Sequence, residues 1–252
     1  MIPTISARLT LPFSDLDRYW AAVLDCASAD LRAGRPVLAP RDDGTIQVFM
    51  TSDGGVIIAP PPVLELAGDL KVDHLLDVEM WAARLRLRPE RLASHATTIA
   101  YTTRELFRGQ PHPFVRRLKR YDAEALARYA RILAAAGSPS ASHWTVGGRV
   151  LGAPETHLWG AYFEGRLVSV AGLRLLSEQI AEVGVDTLPK YRQQGYGTAV
   201  AAGATQAALA VASLVQWSTQ VGNASSTRIA LRLGYRTYAH QLWLALPSGR
   251  EG

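Results

Sequence analysis

The stretch Leu188-Pro189-Lys190-Tyr191-Arg192-Gln193-Gln194-Gly195-Tyr196-Gly197-Thr198 decides the fold of the second half of this chain. It lies between an apolar run at 180–187, which predicts a strand, and a long alanine-rich run. The alanine-rich run predicts a helix over 196–212, because it contains no proline and its apolar residues recur at helical spacing. We therefore expect a strand, a glycine-containing loop and a helix in this order.

The loop indicates a binding site for an anion. The first turn of a helix has backbone N–H groups without a partner inside the helix, and the positive end of the helix dipole lies there. Gly195 and Gly197 let the backbone approach a ligand closely, and Lys190 and Arg192 bring positive charge next to it. The sequence therefore predicts a pyrophosphate site at the start of the helix.

The glycine spacing separates this loop from other anion loops. A dinucleotide-binding loop needs Gly or Ala three residues after Gly197, where this chain has Val200, and the Gly-Lys-Ser/Thr of a P-loop is absent. What remains is Arg-x-x-Gly-x-Gly, formed by Arg192, Gly195 and Gly197. This pattern resembles the acetyl-CoA pyrophosphate loop of the GNAT N-acetyltransferase superfamily.

The elements predicted around the loop follow the order of that superfamily. Asn223 and Gly234-Tyr235 have the spacing that its members show near the C-terminus. The predicted elements are a strand at 114–118, a helix from Asp122, a hairpin of strands at 158–163 and 167–176, the strand, loop and helix above, a strand at 214–219, a helix at 225–233 and a strand at 237–246. The resemblance covers about residues 114–247 and implies an α/β (α+β) fold with a mixed, mostly antiparallel sheet flanked by helices.

A domain boundary is predicted near Gly109-Gln110-Pro111-His112-Pro113, since its prolines disfavour a helix. We expect a GNAT acetyl-CoA-binding domain at 114–252 and a smaller N-terminal α/β extension at 1–113, which resembles a degenerate acyltransferase half. The extension is expected to wall the acceptor cleft or to form a homodimer contact. Its predicted elements are helices at 14–33, 72–86 and 89–107 and strands at 46–50 and 56–59.

Composition and charge limit the function classes. With 252 residues, 48% hydrophobic and 19% charged, the chain is typical of globular proteins, and its apolar runs are too short or too broken by charge to cross a bilayer. One cysteine, Cys26, rules out an internal disulfide framework, and no secretory signal is evident, so we expect a cytoplasmic protein without a membrane partner. Cys26 is interpreted as a buried structural thiol on the first helix.

The net charge of +5 comes with 24 arginines among 27 basic residues and is suited to steering an anionic ligand. The densest cluster, Arg116-Arg117-Leu118-Lys119-Arg120, is short and lacks interleaved aromatic residues, so it is interpreted as a solvated strand edge, and no nucleic-acid partner is expected. No metal-ligand spacing occurs, and no metal cofactor is expected.

The resemblance implies acetyl-CoA as the acyl donor and a primary amine, on a small molecule or a peptide or protein, as the acceptor that attacks directly. It implies that the backbone of Val185, Asp186 and Thr187 pairs with the pantetheine arm and that the Val185 N–H polarises the acyl carbonyl. Arg192 or Lys190 would add charge, and Asn223 would bond the pantetheine region from the far side. The pyrophosphate would be held by the amides of Gln193, Gln194, Gly195, Tyr196, Gly197 and Thr198.

The proton-transfer groups are where the chain departs from the family. Many members carry a tyrosine acid seven residues after the asparagine, where this chain has Ala230, so no general acid is assigned. Glu182 is the candidate base. Strand alternation, however, places its side chain on the sheet face that points away from the acceptor cleft, and the alternative is an ion-paired or solvated glutamate. His143, Glu155 and His157 are further candidates for proton relay. The alternative function is a catalytically impaired CoA-binding regulatory or interaction module.

Overall fold

The computed structural model describes residues 11–68, 70, 74–138 and 157–247. These residues form ten strands, most of them antiparallel, and six α-helices that flank them. The predicted fold class, a mixed and mostly antiparallel sheet with flanking helices, is confirmed. Within the same ranges, every helix is too short or too polar to span a bilayer.

The elements that precede residue 103 are three helices and four strands. They are α1 (Phe13–Leu24), β1 (Pro36–Pro40), β2 (Thr45–Thr51), β3 (Gly55–Ala59), α2 (Pro61–Ala67), α3 (Val78–Leu85) and β4 (Ala93–Thr102). The strands predicted at 46–50 and 56–59 are confirmed as β2 and β3. The strand β1 was not predicted, because its five residues begin and end with proline, which is disfavoured in strands.

All three helices predicted in this half are wrong in extent or in kind. The helix predicted at 14–33 ends at Leu24, because Asp25 adopts a left-handed conformation with φ 57°. Cys26 therefore follows α1 and is only half-buried. The helix predicted at 89–107 is instead strand β4, because its Thr-Thr-Ile-Ala-Tyr-Thr run is rich in β-branched and aromatic side chains. The helix predicted at 72–86 is the shorter α3, and residues 72 and 73 lie outside the described ranges.

The second half contains the predicted order of elements. These are β5 (Val115–Arg117), α4 (Ala123–Ala135), β6 (His157–Phe163), β7 (Arg166–Leu175), β8 (Ile180–Thr187), α5 (Tyr196–Val211), β9 (Leu214–Gln220), α6 (Ala224–Arg232) and β10 (Arg236–Ala245). Each begins and ends within two residues of its prediction, and β8 matches its prediction at both ends. The turn between β6 and β7 takes positive φ at both Glu164 and Gly165, which is the geometry of a tight hairpin.

Contacts divide the chain into two compact units whose boundaries differ from the predicted division at 113/114, which stays a prediction about sequence domains. The first unit comprises the described residues up to Ile99 together with Thr219–Asn223 and those from Thr237 on. Its strands follow the order β1-β3-β2-β10-β4, with β10 antiparallel to β2. Its core forms around Trp81, whose indole N–H donates to the carbonyl of Leu75 at 2.9 Å.

The second unit comprises Ala100–Ser218 and Ala224–Arg236, and it contains the predicted loop. Its strands follow the order β9-β8-β7-β6-β5, in which only the β8–β9 pair is parallel. Ala171 of β7 packs in the core that α5 shares, whereas Val170 packs in the core that α4 shares. Since neighbouring residues of a strand point to opposite faces, α5 and α4 cover opposite faces of this sheet.

Candidate functional site

The loop after β8 has the backbone geometry of an anion site. A single 3-10 turn, Pro189–Tyr191, leads to Gln193 with φ 61° and Gly195 with φ 88°, and α5 begins directly afterwards at Tyr196. Left-handed residues among right-handed ones turn successive N–H groups towards a common point, which forms a concave nest for an anion. The nest and the first turn of α5, up to Thr198, together offer the donors that the sequence predicted.

The two glycines of the loop are required for different reasons. Gly195 has a left-handed backbone, and a Cβ there would meet no described atom within 4 Å. Gly197 lies in the first turn of α5, where a Cβ would approach Thr187 Oγ1 to 2.9 Å and Ile229 Cδ1 to 3.3 Å. Gly195 therefore supplies conformation, and Gly197 lets the helix pack closely on the end of β8.

Arg192 holds the end of β8. Its Nε donates to the Thr187 carbonyl at 3.0 Å, and its terminal nitrogen lies 3.6 Å from Asp186 Oδ1. The Asp186 carboxylate is buried and also accepts hydrogen bonds from Ser138 Oγ at 2.9 Å and from the Thr187 N–H at 2.7 Å. One N–H donor of Arg192 is thus used to bind the end of β8, and the guanidinium is also paired with the Asp186 carboxylate.

The other polar side chains of the loop are exposed to solvent. Lys190 is exposed, with its Nζ 5.9 Å from the centre of the Tyr191 ring, and Gln194 Nε2 donates to the Lys190 carbonyl at 3.0 Å. The Tyr196 ring is buried and packs against the rings of Tyr191 and Phe114. Lys190 and Arg192 are thus the two exposed basic residues of the loop.

The strands β8 and β9 separate at the point where a ligand arm is expected to enter. Their pairing ends at Glu182↔Gln216, although β8 continues to Thr187. The Gln179 carbonyl accepts from the Leu214 N–H at 3.0 Å, so the odd-numbered residues of β8 direct their backbone groups towards β9. Val185 belongs to this set and lies three residues beyond the last pair.

A row of polar side chains crosses four strands at the point of separation, on the sheet face opposite α5. Arg174 binds Glu182 Oε2 through two nitrogens at 2.7 and 2.6 Å, while Gln216 Nε2 at 3.2 Å and Ser218 Oγ at 3.0 Å donate to Glu182 Oε1. The Tyr101 hydroxyl donates to Gln216 Oε1 at 2.5 Å. Glu182 thus has the ion-paired environment that was the alternative to a free base.

The position where relatives carry a tyrosine acid lies in the core. Ala230 is 5% exposed, and its carbonyl accepts from the Tyr235 N–H at 3.0 Å. The Tyr235 hydroxyl is buried 2.8 Å from Thr205 Oγ1, and burial raises its pKa. Neither residue supplies an acid to a ligand, and no general acid is assigned.

The remaining predicted site residues lie at separate places. Asn223 follows β9, is exposed, donates its N–H to the Gln220 carbonyl at 3.0 Å, and is grouped by contacts with the first unit. His157 begins β6, and burial, with a contribution from Arg117, lowers its pKa. His143 and Glu155 lie outside the described residues.

In the described ranges no group of three or more His, Cys, Asp or Glu side chains could hold a metal ion.

The basic cluster on β5 is partly engaged in an ion pair. Arg116 binds the buried Asp122 carboxylate with two nitrogens at 2.8 and 2.6 Å, and the Tyr162 hydroxyl donates to the same group at 2.7 Å. The Arg116 guanidinium lowers the pKa of Asp122 to about 2. Burial, assisted by Asp122, raises the pKa of Tyr162 to about 12. The solvated strand edge predicted here is confirmed, because β5 is the last strand of its sheet and Arg116, Arg117, Lys119 and Arg120 are exposed. Arg116 in addition anchors the start of α4 through Asp122.

Comparison with known families identifies this region. Residues 160–240 match the GNAT acetyltransferase family. Over this region the chain is similar to the GNAT acetyltransferases. The match includes β8, the anion loop and Asn223, and acyl transfer is the class of chemistry that it supports.

One solved structure shares the fold, and two others are similar to a part of the chain. A GNAT-family acetyltransferase from Colwellia psychrerythraea shares it at 16% identity and a TM-score of 0.50, over 61% of this chain and 57% of that one. A putative GNAT acetyltransferase from Novosphingobium aromaticivorans matches at 21% identity and a TM-score of 0.47, over 68% of its chain and 63% of this one. A GCN5-related N-acetyltransferase from Kribbella flavida matches at 21% and 0.46, over 64% of its chain and 67% of this one. A search of curated proteins finds no match.

Proposed function

We propose that this protein transfers an acetyl group from acetyl-CoA to a primary amine by direct attack of the amine on the thioester. The observation that carries the proposal is the combination of a nest of N–H donors at the start of α5 with the separation of β8 and β9 next to it. One end suits a pyrophosphate, and the other leaves strand backbone for an extended amide-containing arm. CoA has both parts in this order.

The roles of the residues follow from the direction of their backbone groups. The amides from Gln193 to Thr198 would hold the pyrophosphate, with Lys190 adding charge. Val185 faces the gap left by β9 and its backbone would pair with the pantetheine arm, whereas the N–H and carbonyl of Thr187 are already engaged by Asp186 and Arg192. The Val185 N–H would stabilise negative charge on the acyl oxygen as the amine attacks.

A second candidate function is a CoA-binding regulatory module without turnover. Two observations favour it: Ala230 in the core supplies no acid, and both carboxylate oxygens of Glu182 already accept hydrogen bonds, so Glu182 has no oxygen free for direct contact with an amine. Loss of general acid or base help typically costs a factor of about 10²–10⁴ in rate. The two candidates therefore differ in turnover and agree on binding.

The test measures binding and turnover separately. Acetyl-CoA is titrated by calorimetry and by thermal shift, with acetyl-pantetheine as the comparator that lacks the pyrophosphate. Thiol release is then followed with kanamycin, spermidine, L-lysine and a lysine-containing peptide as acceptors. A Cys26→Ala variant removes the chain's own thiol from the background of the assay.

The expected result is tighter binding of acetyl-CoA than of acetyl-pantetheine, with thiol release that depends on an amine. Binding without release against any acceptor would support the regulatory module instead. If acetyl-CoA leaves both the calorimetric signal and the melting temperature unchanged, neither function stands.

A further inference from the structure

Two glycines lie opposite each other on the sheet face that carries Glu182. The pairs Arg174↔Glu182, Gly172↔Gly184 and Val170↔Asp186 form three successive rows across β7 and β8. The outer rows carry side chains and the middle row carries none, so the backbone forms the floor of a depression between them. We name this depression, floored by Gly172 and Gly184, the glycine trough.

The backbone does not require glycine at position 184. Gly184 is exposed and does not have a positive φ, and a Cβ there would meet no described atom within 4 Å. Glycine in a strand interior weakens the strand and often marks a place where a ligand approaches the backbone. Glycine at position 184 therefore leaves open space above the strand and is not required by the backbone conformation.

The glycine trough lies next to the atoms that the proposed reaction uses. Gly184 directly precedes Val185, whose backbone groups face the gap between β8 and β9, and adjacent Cα atoms are about 3.8 Å apart. Ser218 lies two residues beyond the last β8–β9 pair, on the same face as Glu182. A molecule in the trough would thus have the acyl-binding strand below it and Ser218 beside it.

Ser218 retains capacity to accept a hydrogen bond. Its hydroxyl proton is donated to Glu182 Oε1, and one lone pair accepts from Gln216 Nε2 at 3.0 Å. A hydroxyl oxygen has two lone pairs, so one is left in the hydrogen bonds that these residues make. Ser218 is exposed, and that lone pair is open to an N–H donor.

We propose that the glycine trough binds the acceptor's primary amine and that Ser218 Oγ takes the proton of the attacking nitrogen. The inference rests on the proposed acetyl transfer. As the neutral amine attacks, the C–N bond forms and the C–S bond to CoA breaks. The proton of the nitrogen passes to Ser218 Oγ while the hydroxyl's own proton moves to Glu182 Oε1. Glu182 then gives this proton through water to the CoA thiolate, so the products are the amide and the free thiol, and Ser218 and Glu182 return to their starting states.

The space in the trough is tested by filling it. Gly184→Val places a branched side chain over the floor, and we expect KM for the best acceptor among kanamycin, spermidine, L-lysine and the lysine peptide to rise at least tenfold. Gly184→Ala should give a smaller rise in the same direction. The Kd for acetyl-CoA should stay within twofold, and Gly68→Ala, at an exposed position of the other unit, is the control.

The role of Ser218 is tested by removing and then restoring the hydroxyl. Ser218→Ala should lower kcat by a factor of about 10² with little change in the Kd for acetyl-CoA. Ser218→Thr should recover most of the rate, which a purely structural role of the oxygen near Glu182 does not predict. Ser213→Ala is the matched control, because Ser213 is an exposed serine whose hydroxyl donates to the Gln179 carbonyl.

The outcomes separate this inference from the function on which it rests. If the wild type turns over but Gly184→Val and Ser218→Ala keep its KM and kcat, the trough is not the acceptor site and acetyl transfer stands. If the wild type binds acetyl-CoA without turnover, acetyl transfer is wrong and the inference is overturned with it. Should Gly184→Val fail to fold, the Gly184→Ala and Ser218→Ala kinetics decide alone.

Discussion

At its carboxyl end β8 leads into a loop whose geometry resides in the backbone, whereas at Glu182 side chains from four strands meet. The loop needs glycine at two positions, one for a left-handed φ of 88° and one for close packing on Thr187. The polar row needs Arg174, Glu182, Gln216 and Tyr101 in register across β7, β8, β9 and β4. The residues that form the loop are adjacent in the sequence, whereas the residues of the polar row come together only when the sheet has assembled.

The largest expected effect tests the backbone site. Gly197→Val forces a branched side chain against Thr187 Oγ1, and overpacking of this kind costs about 1–3 kcal/mol in the free energy of unfolding. We also expect the Kd for acetyl-CoA to rise more than tenfold, because α5 must move away from the end of β8. Urea denaturation and calorimetry measure the two quantities.

Gly195→Ala is the comparison variant for Gly197. A Cβ at Gly195 meets open space, so only the left-handed conformation is penalised, by about 1–2 kcal/mol. Equal losses of stability and affinity for both variants would contradict the separate roles of the two glycines.

The next effect concerns the ion pair of Arg116 and Asp122, which is held by side chains and can be tested by the pH dependence of stability. The folded protein holds the pKa of Asp122 at about 2, below its ordinary value of 3.8, because Arg116 binds the carboxylate. The pair therefore contributes fully above pH 4, and its contribution is lost as the pH falls from there towards 2. Asp122→Asn should lower the free energy of unfolding by about 1–2 kcal/mol at neutral pH and by much less near pH 2.

Denaturant curves at several pH values measure that difference. Arg116→Gln should show the same pH dependence, since it removes the other half of the pair. A constant difference between pH 7 and pH 2 would show that the ion pair does not act as described.

A smaller effect tests the polar row. Tyr101→Phe removes the hydrogen bond to Gln216 Oε1 from a buried position and should cost about 0.5–1.5 kcal/mol in the free energy of unfolding. The Kd for acetyl-CoA should not change, because the loop does not depend on this bond. A loss of acetyl-CoA affinity as large as that of Gly197→Val would show that the row and the loop are one site.

The smallest effect concerns the exposed lysine of the loop. Lys190→Ala should weaken acetyl-CoA binding a few-fold, and the difference from wild type should shrink as salt is raised, because exposed charges are screened. Binding isotherms at low and high ionic strength measure it. A salt-independent loss would assign Lys190 a direct contact that screening does not reach.

The same contrast explains how much could be predicted from the sequence. The strand, loop and helix around Gly195 were predicted within one residue at every boundary, since periodicity and glycine spacing are local signals. The ion pair of Glu182 was predicted only as an alternative, because Arg174 meets it through the register of the β7–β8 hairpin. Tyr101 was missed altogether, since its segment was predicted as a helix and its partner Gln216 lies far along the chain.

The path of β10 has a consequence for anyone who expresses the two halves separately. Ala239 to Ala245 pair with β2, within the unit that also contains α1. A fragment ending at residue 113 would lack this partner, and one long edge of β2 would be left with unsatisfied backbone groups, which invites self-association. A soluble form of the first half would need β10 supplied, either as a peptide or by circular permutation.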